Sequence, residues 1–429
     1  MKATLLQTAN RSLPYKGAVE VPNARRAVIV VENSFVPADV RVTYEAITLR
    51  DAGWDVTVIC PFAQHAGQGK ENSGKARALQ DPEGINILRF PLAYAQRGLA
   101  AYLREYLTAF VSVARITWQV WRNGSFDVLH LCNPPDIFFP IAALYRLLGA
   151  RVIFDHHDLF PELVDWRYRG LRRQVLYVLA RAAEYLTFRV ANVVMSTNES
   201  YRRIAIERGR LLGEDVIVVR NGPRLDEFVP VKPDPALKKG FRYMACYAGV
   251  MGHEDGVLEL IPSIAHIVHG LGRHDVRFVL LGDGAVRREV LNRIEARGLS
   301  PYVEMPGMIY DNELLRRYMC TADVLLSPEP PTPLNTSSTF IKIGEYMAMG
   351  KPIVAYDLVE TKRTAEAAAV YVEPGDTEAF GQTIVDLLDD PERRERMGVV
   401  GKWRVRHLLA WEHQQEHLLA AYERALDQR

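Results

Sequence analysis

Cysteine is scarce: Cys60, Cys132, Cys246 and Cys320 stand far apart in 429 residues, with no paired spacing. That pattern excludes a zinc knuckle, a Cys-x-x-Cys redox motif and a secreted disulfide framework, and it suits a reducing cytoplasmic compartment. Net charge is almost absent too, with 53 Lys plus Arg against 52 Asp plus Glu, so no bulk field draws the chain to nucleic acid. Long apolar runs are missing. The least charged stretch, 106–121, is broken by Arg115 and falls short of the roughly 20 residues that span a bilayer. The polar N-terminus carries no apolar core ahead of a small-residue cleavage site, so nothing there reads as an export signal. No internal repeat of about 20–50 residues is present. What remains, at 48 % hydrophobic residues, is a chain with room for two or three globular domains.

Short apolar runs at 27–31, 55–60, 86–90, 127–131, 151–154, 193–196 and 216–219 read as buried strands. Helical stretches at 40–52, 99–121, 137–148, 171–191 and 199–209 alternate with them, which predicts a parallel sheet covered on both faces. The turn Asn221-Gly222-Pro223 and the prolines at 230, 233 and 235 then mark a stiff connection. Beyond it the alternation restarts, with strands at 244–247, 277–281, 303–305, 324–327 and 352–355. Helices are expected at 256–269, up to 296, and at 312–320, 340–349 and 378–388. The fold class is α/β, two Rossmann-like doubly wound domains facing a central cleft that holds the ligand. The expected division is a flexible segment 1–24, a first domain 25–222, a linker 223–240, a second domain 241–404, and a helix 405–429 returning toward the first domain.

The most informative run is 337–355. A helix with apolar Ile341, Ile343, Met347 and Met349 ends at Gly350, and Lys351-Pro352 leads into a buried strand. Lys342 and Glu345 share one face of that helix, where a solvated salt bridge would also account for them. From Glu345 through Met347-Ala-Met-Gly-Lys-Pro352 the run resembles the signature of the GT-B nucleotide-sugar glycosyltransferases, in the retaining family 4-like group. Leu281-Gly-Asp-Gly284, Asn221-Gly222 and Glu373-Pro-Gly-Asp376 resemble further pieces of that family in the same order.

The resemblance implies a nucleotide-diphosphate sugar as donor substrate, UDP most often, and no cofactor or metal. It assigns Glu345 to the two ribose hydroxyls, a bidentate role, and Lys342 to the diphosphate, where a compact cation offsets leaving-group charge. Donor contacts would come also from Gly249, Gly252, His253, Gly282, Asp283, Gly284, Asn335, Thr336 and Ser338. Two departures stand out. Ser337 takes the place of the family's first carboxylate, and Val250 and Asp255 stand where relatives carry phosphate-gripping Arg and Lys. The glycine loop still offers backbone N–H groups at a helix start.

In the first domain, 155–162 places two histidines and three carboxylates just past a strand, where parallel sheets build sites. A turn with satisfied polar groups and a His/Asp metal cluster are the other readings. His157-Asp158 resembles the family's pair whose His contacts the transferred sugar, which makes His157, Asp158 and Ser337 the catalytic candidates; His156 has no such match. Asp39 and Arg41 are expected at the acceptor, or as a helix N-cap and a surface charge. Arginines 97, 104, 115, 122, 167, 169, 172, 173, 181 and 189 are interleaved with aromatic residues. They suit either a solvated helix face or an anionic membrane surface. Residues 1–222 carry 28 Lys plus Arg against 21 Asp plus Glu, so the neutral total conceals a basic first domain.

The expected function is glycosyl transfer to a glycan or lipid-linked acceptor in cell-envelope or exopolysaccharide synthesis at the inner face of the membrane, and the resemblance implies retention at the anomeric carbon. Two alternatives remain: a sugar-nucleotide epimerase, which needs no acceptor, and a catalytically silent binding module, which would bind nucleotide without turnover.

Overall fold

The computed structural model describes residues 24–62, 81–92 and 99–428. The expected segment 1–24, apart from its last residue, and Arg97 lie outside them. Seven strands form the first sheet: β1 (Arg26–Val30), β2 (Asp55–Pro61), β3 (Asn86–Phe90), β4 (Val128–Cys132), β5 (Arg151–His156), β6 (Val193–Ser196) and β7 (Val216–Val218). Their order is β3-β2-β1-β4-β5-β6-β7, and every pairing is parallel. The second sheet holds β8 (Tyr243–Ala248), β9 (Val276–Leu281), β10 (Val303–Gly307), β11 (Val324–Ser327), β12 (Ile353–Tyr356) and β13 (Ala369–Val372). It repeats the pattern, β10-β9-β8-β11-β12-β13, again all parallel. In both sheets the chain order reverses beside the first strand, β1/β4 and β8/β11, where open parallel sheets leave a crevice beyond the strand carboxyl ends.

The strands are buried on both faces because helices cover both. Ala109 and Val113 of helix Leu99–Arg122 pack one face of the first sheet with Phe188 and Ala205. Val42, Ala46 and Leu49 of helix Val40–Asp51 pack the other, together with Leu418, Ala421 and Tyr422 of the C-terminal helix Trp411–Asp427. The last helix therefore caps the first domain after the chain has completed the second. Trp411 donates to Thr48 Oγ1 at 3.0 Å and Tyr422 OH lies 2.9 Å from His130 Nδ1. The chain crosses between domains twice at one spot: Trp411 N–H donates to Pro223 O at 3.1 Å, and a Cβ on Gly222 would fall 1.9 Å from Leu409 O. Only glycine permits that approach.

Several elements depart from the sequence reading. Strand β13 and the helices Phe160–Arg167, Val359–Ala365 and Pro391–Arg404 were not foreseen. Helix Phe160–Arg167 follows from Pro161, which presets the backbone for a first turn, and it begins inside the 155–162 stretch for which a turn was one reading. β13 has only four residues and follows an alanine-rich run with helical propensity.

Candidate functional site

At the carboxyl end of β8 the chain turns through Gly249 and Gly252 into helix Val257–Ala265. A Cβ on Gly282 would lie 1.8 Å from Gly249 O, so the loops after β8 and β9 meet backbone to backbone. Asp283 caps Gly284 N–H at 2.8 Å. Asp255 turns inward and accepts Gly252 N–H at 2.8 Å, which explains a carboxylate in place of the family's lysine: it caps the turn. His253 is exposed on the same loop.

The cation that reaches this loop comes from helix Ile341–Ala348. Lys342 Nζ lies 2.6 Å from Glu329 Oε1, 3.1 Å from Tyr247 OH and 4.4 Å from the centre of the Tyr247 ring. A Cβ on Gly249 would stand 2.9 Å from Nζ, so glycine there lets the ammonium lie against the loop. Burial disfavours the Lys342 charge, yet Glu329 beside it carries its pKa above the usual lysine value. Glu345, one turn along, is half-buried, and among the described residues none donates a hydrogen bond to its carboxylate. Burial pushes its carboxyl up to about 7, against the pull of Lys342. Across the cleft its field also reaches Tyr44 of helix Val40–Asp51, whose hydroxyl donates to Glu227 at 2.6 Å.

The segment 335–339 ties the domains together. Asn198 Nδ2 donates to Ser337 O at 2.9 Å and to Thr339 Oγ1 at 3.1 Å, and Tyr201 OH meets Ser338 Oγ at 2.9 Å. Asn335 is buried and donates to Glu254 O at 2.7 Å and Pro330 O at 2.9 Å. Thr336 Oγ1 donates to Thr332 O at 2.9 Å. Asn335, Thr336 and Ser338 thus shape the loop with the same groups expected to contact donor.

Facing them, His157 Nε2 makes a very short contact with Asp155 Oδ2, and its backbone N–H donates to Asn133 Oδ1 at 2.6 Å. Asn133 Oδ1 also takes Asp158 N–H at 3.1 Å, and its Nδ2 donates to Asp158 O at 2.8 Å. One buried amide from the end of β4 therefore sets the whole His157-Asp158 turn. Burial raises the Asp158 pKa. His157 retains 12 % side-chain exposure while Asp155 has none, so the imidazole is the part of the pair open to the cleft.

Arg41 requires correction. Its Nε and Nη2 donate to the two Asp155 oxygens at 2.8 and 2.7 Å, and its Nη1 donates to Val219 O and Asn221 Oδ1, each at 2.8 Å. The guanidinium is buried and held by these four hydrogen bonds, so it is a structural cation of the first domain's interior and not the exposed charge expected at an acceptor. Asp39 caps helix Val40–Asp51 through Val42 N–H at 3.0 Å. Burial disfavours the Asp155 charge, but Arg41 and His157 hold its pKa well below the usual carboxylate range. Glu45 goes the other way, raised by burial and by Asp155. Glu45, Cys132, Asp155 and His157 bring donor atoms within 4.8 Å of one another, a spacing compatible with an ion, but Arg41 already supplies the positive charge. His156 is buried between Phe154, Phe188 and Tyr201. Its role is packing.

Sequence reasoning gave no role to Glu329, Asn133 and Tyr247, and it counted Asp155 only among the carboxylates of 155–162. Each stands at or just beyond the carboxyl end of β5, β11, β4 or β8, and that position was the available signal.

Two doubly wound sheets whose strand ends present a Lys–Glu pair on one side and a His–Asp pair on the other define a two-domain protein of the GT-B class. Residues 242–390 match the family model of group 1 glycosyl transferases, and residues 38–222 match the glycosyl transferase 4-like domain. The chain belongs to the GT-B glycosyltransferases, in the family 4-like group. It is similar to α-D-kanosaminyltransferase of Streptomyces kanamyceticus, 32 % identical over 36 % of this chain and 39 % of that protein. The chain thus spans about two fifths of the length of the first curated relatives it matches. A phosphatidyl-myo-inositol mannosyltransferase of Mycolicibacterium smegmatis is 24 % identical over 88 % of this chain and 87 % of its own. Among solved structures, a sucrose-phosphate synthase from Thermosynechococcus elongatus superposes with a TM-score of 0.74 at 18 % identity, covering 93 % of this chain and 98 % of that one.

Proposed function

We propose that the chain transfers a glycosyl group from a nucleoside-diphosphate sugar, UDP being the first carrier to test, to a glycan or lipid-linked acceptor, with retention at the anomeric carbon. The observation that carries this reading is Glu345: a half-buried carboxylate that takes no hydrogen bond among the described residues, one helical turn from a cation laid against a glycine loop. Two vicinal hydroxyls of a ribose match that acceptor, and a diphosphate matches Lys342 with the N–H groups of the loop. Transfer needs no metal in this reading. Lys342 and the loop offset charge on the departing diphosphate, His157, held by Asp155 and Asn133, meets the sugar, and Ser337 offers its hydroxyl in place of a carboxylate. Catalysis then rests on positioning and electrostatic stabilisation.

The test is isothermal titration of the full chain with UDP, GDP and their hexose conjugates, followed by product analysis with candidate acceptors. Micromolar binding that is lost in Glu345→Ala supports the reading. Unchanged affinity and turnover in that variant would remove the site assignment, whereas epimerised donor without acceptor would replace transfer by epimerisation.

A further inference from the structure

Helix Leu99–Arg122 has a second face that the fold does not use. Ala109, Val113 and Thr117 are fully buried, while Leu103, Leu107, Val111 and Trp118 leave 60, 65, 56 and 47 % of their surface exposed. Arg104, Arg115 and Arg122 stand exposed among or beside them. Tyr106 of this helix packs edge-on against Phe160, ring centres 6.5 Å apart, which joins it to the helix pair Phe160–Arg167 and Gly170–Val190. There Trp166, Leu171, Val175 and Val178 are 49, 75, 52 and 64 % exposed, flanked by exposed Arg167, Arg169 and Arg172.

Monomers rarely show apolar side chains in this number on adjoining helices. The acids nearby do not balance the arginines: Glu162 and Glu184 are buried against Arg208, and Asp165 pairs with Arg173. A second copy of this face would bring arginines against arginines. An anionic bilayer supplies both the apolar phase and the opposite charge, and none of the described helices is long and apolar enough to cross it. We propose that this face of the first domain lies on the surface of an anionic phospholipid bilayer, with Leu103, Leu107, Trp166 and Leu171 dipping below the headgroups. Helix Phe160–Arg167 begins three residues after His157, so docking sets the first domain's half of the cleft beside the headgroup layer. The proposal concerns binding and stands or falls without regard to sugar transfer.

The experiment is co-sedimentation of the full chain with vesicles of phosphatidylcholine containing about 30 % phosphatidylglycerol, and with phosphatidylcholine alone, at about 0.1 M salt. The expected result is strong pelleting with the anionic vesicles and weak pelleting with the neutral ones. Arg169→Glu with Arg172→Glu is expected to weaken it about 25-fold or more, since each basic residue at such a surface is worth roughly fivefold. Leu171→Glu with Val175→Glu should do likewise, whereas Leu212→Glu, an exposed apolar position off this face, should bind as the parent does. Thermal unfolding verifies folding of each variant, and the arginine pair serves if the apolar pair fails to fold. Three results would overturn the proposal: no pelleting with anionic vesicles, pelleting unaffected by both double variants, or a dimer in light scattering that the apolar pair dissolves without any vesicle binding.

Discussion

Lys342 and Glu329 form a buried ion pair at 2.6 Å, with 11 and 1 % of their side chains exposed. The pair holds the ammonium beside Gly249, and Glu329 is held in turn by Ser327. Removing one partner of a buried pair strands the other, at a cost of about 3 kcal/mol or more. Glu329→Gln is therefore expected to lower stability by about that amount in denaturant titration. Lys342→Met should bind nucleotide diphosphate at least about tenfold more weakly, from the loss of a charge-assisted contact. Equal nucleotide affinity in the two proteins would detach Lys342 from the diphosphate.

Glu345 titrates near neutrality, which links pH to both stability and binding. Its carboxyl is raised by burial from the ordinary 4.5 to about 7, so the folded protein holds a proton that the unfolded chain releases. The stability this adds is complete below about pH 4.5 and is lost as pH rises through about 7. Glu345→Gln should therefore raise the unfolding midpoint at pH 8 and leave it nearly unchanged at pH 4.5. Nucleotide affinity of the parent should increase between pH 6 and 8 as the carboxylate forms, and the Gln variant should show no such rise.

His156 predicts the opposite pH dependence. Burial, with Arg208 nearby, lowers its pKa to about 3, so the unfolded chain takes up a proton that the native state refuses. Its contribution to stability is present above about pH 6.5 and falls away as pH drops toward 3. His156→Phe, surrounded by Phe154, Phe188 and Tyr201, should flatten the acid limb of the stability profile between pH 6 and 4. An unchanged acid limb would assign acid unfolding to other groups.

Gly222 has no room for a side chain, since its Cβ would overlap Leu409 O and approach Ala410 C at 2.8 Å. Gly222→Ala must displace backbone and is expected to cost about 1–3 kcal/mol. Because the displaced strands are the two interdomain connections, differential scanning calorimetry should show the single transition broadening or splitting.

The alternation of strands and helices was legible because buried parallel strands leave short apolar runs that nothing else in the chain imitates. The motifs pointed to Glu345, Lys342 and His157. The partners that orient them were not legible: Asp155 precedes His157 by two residues, but its pairing with Arg41 spans 114 residues, and Glu329 meets Lys342 only because β11 ends beside helix Ile341–Ala348. Arg41 was misplaced for the same reason. From sequence it is a charge on the outer turn of a helix start, and its burial depends on the long-range return of Val219 and Asn221.

The C-terminal helix Trp411–Asp427 has a practical meaning for anyone who would divide this protein. A first domain cut after residue 222 would expose the floor on which Trp411, Leu418 and Tyr422 rest, and a second domain cut free would carry that apolar helix with nothing beneath it. Exchange of second domains between relatives must therefore move residues 223–410 as an insert into a host that keeps its own last helix.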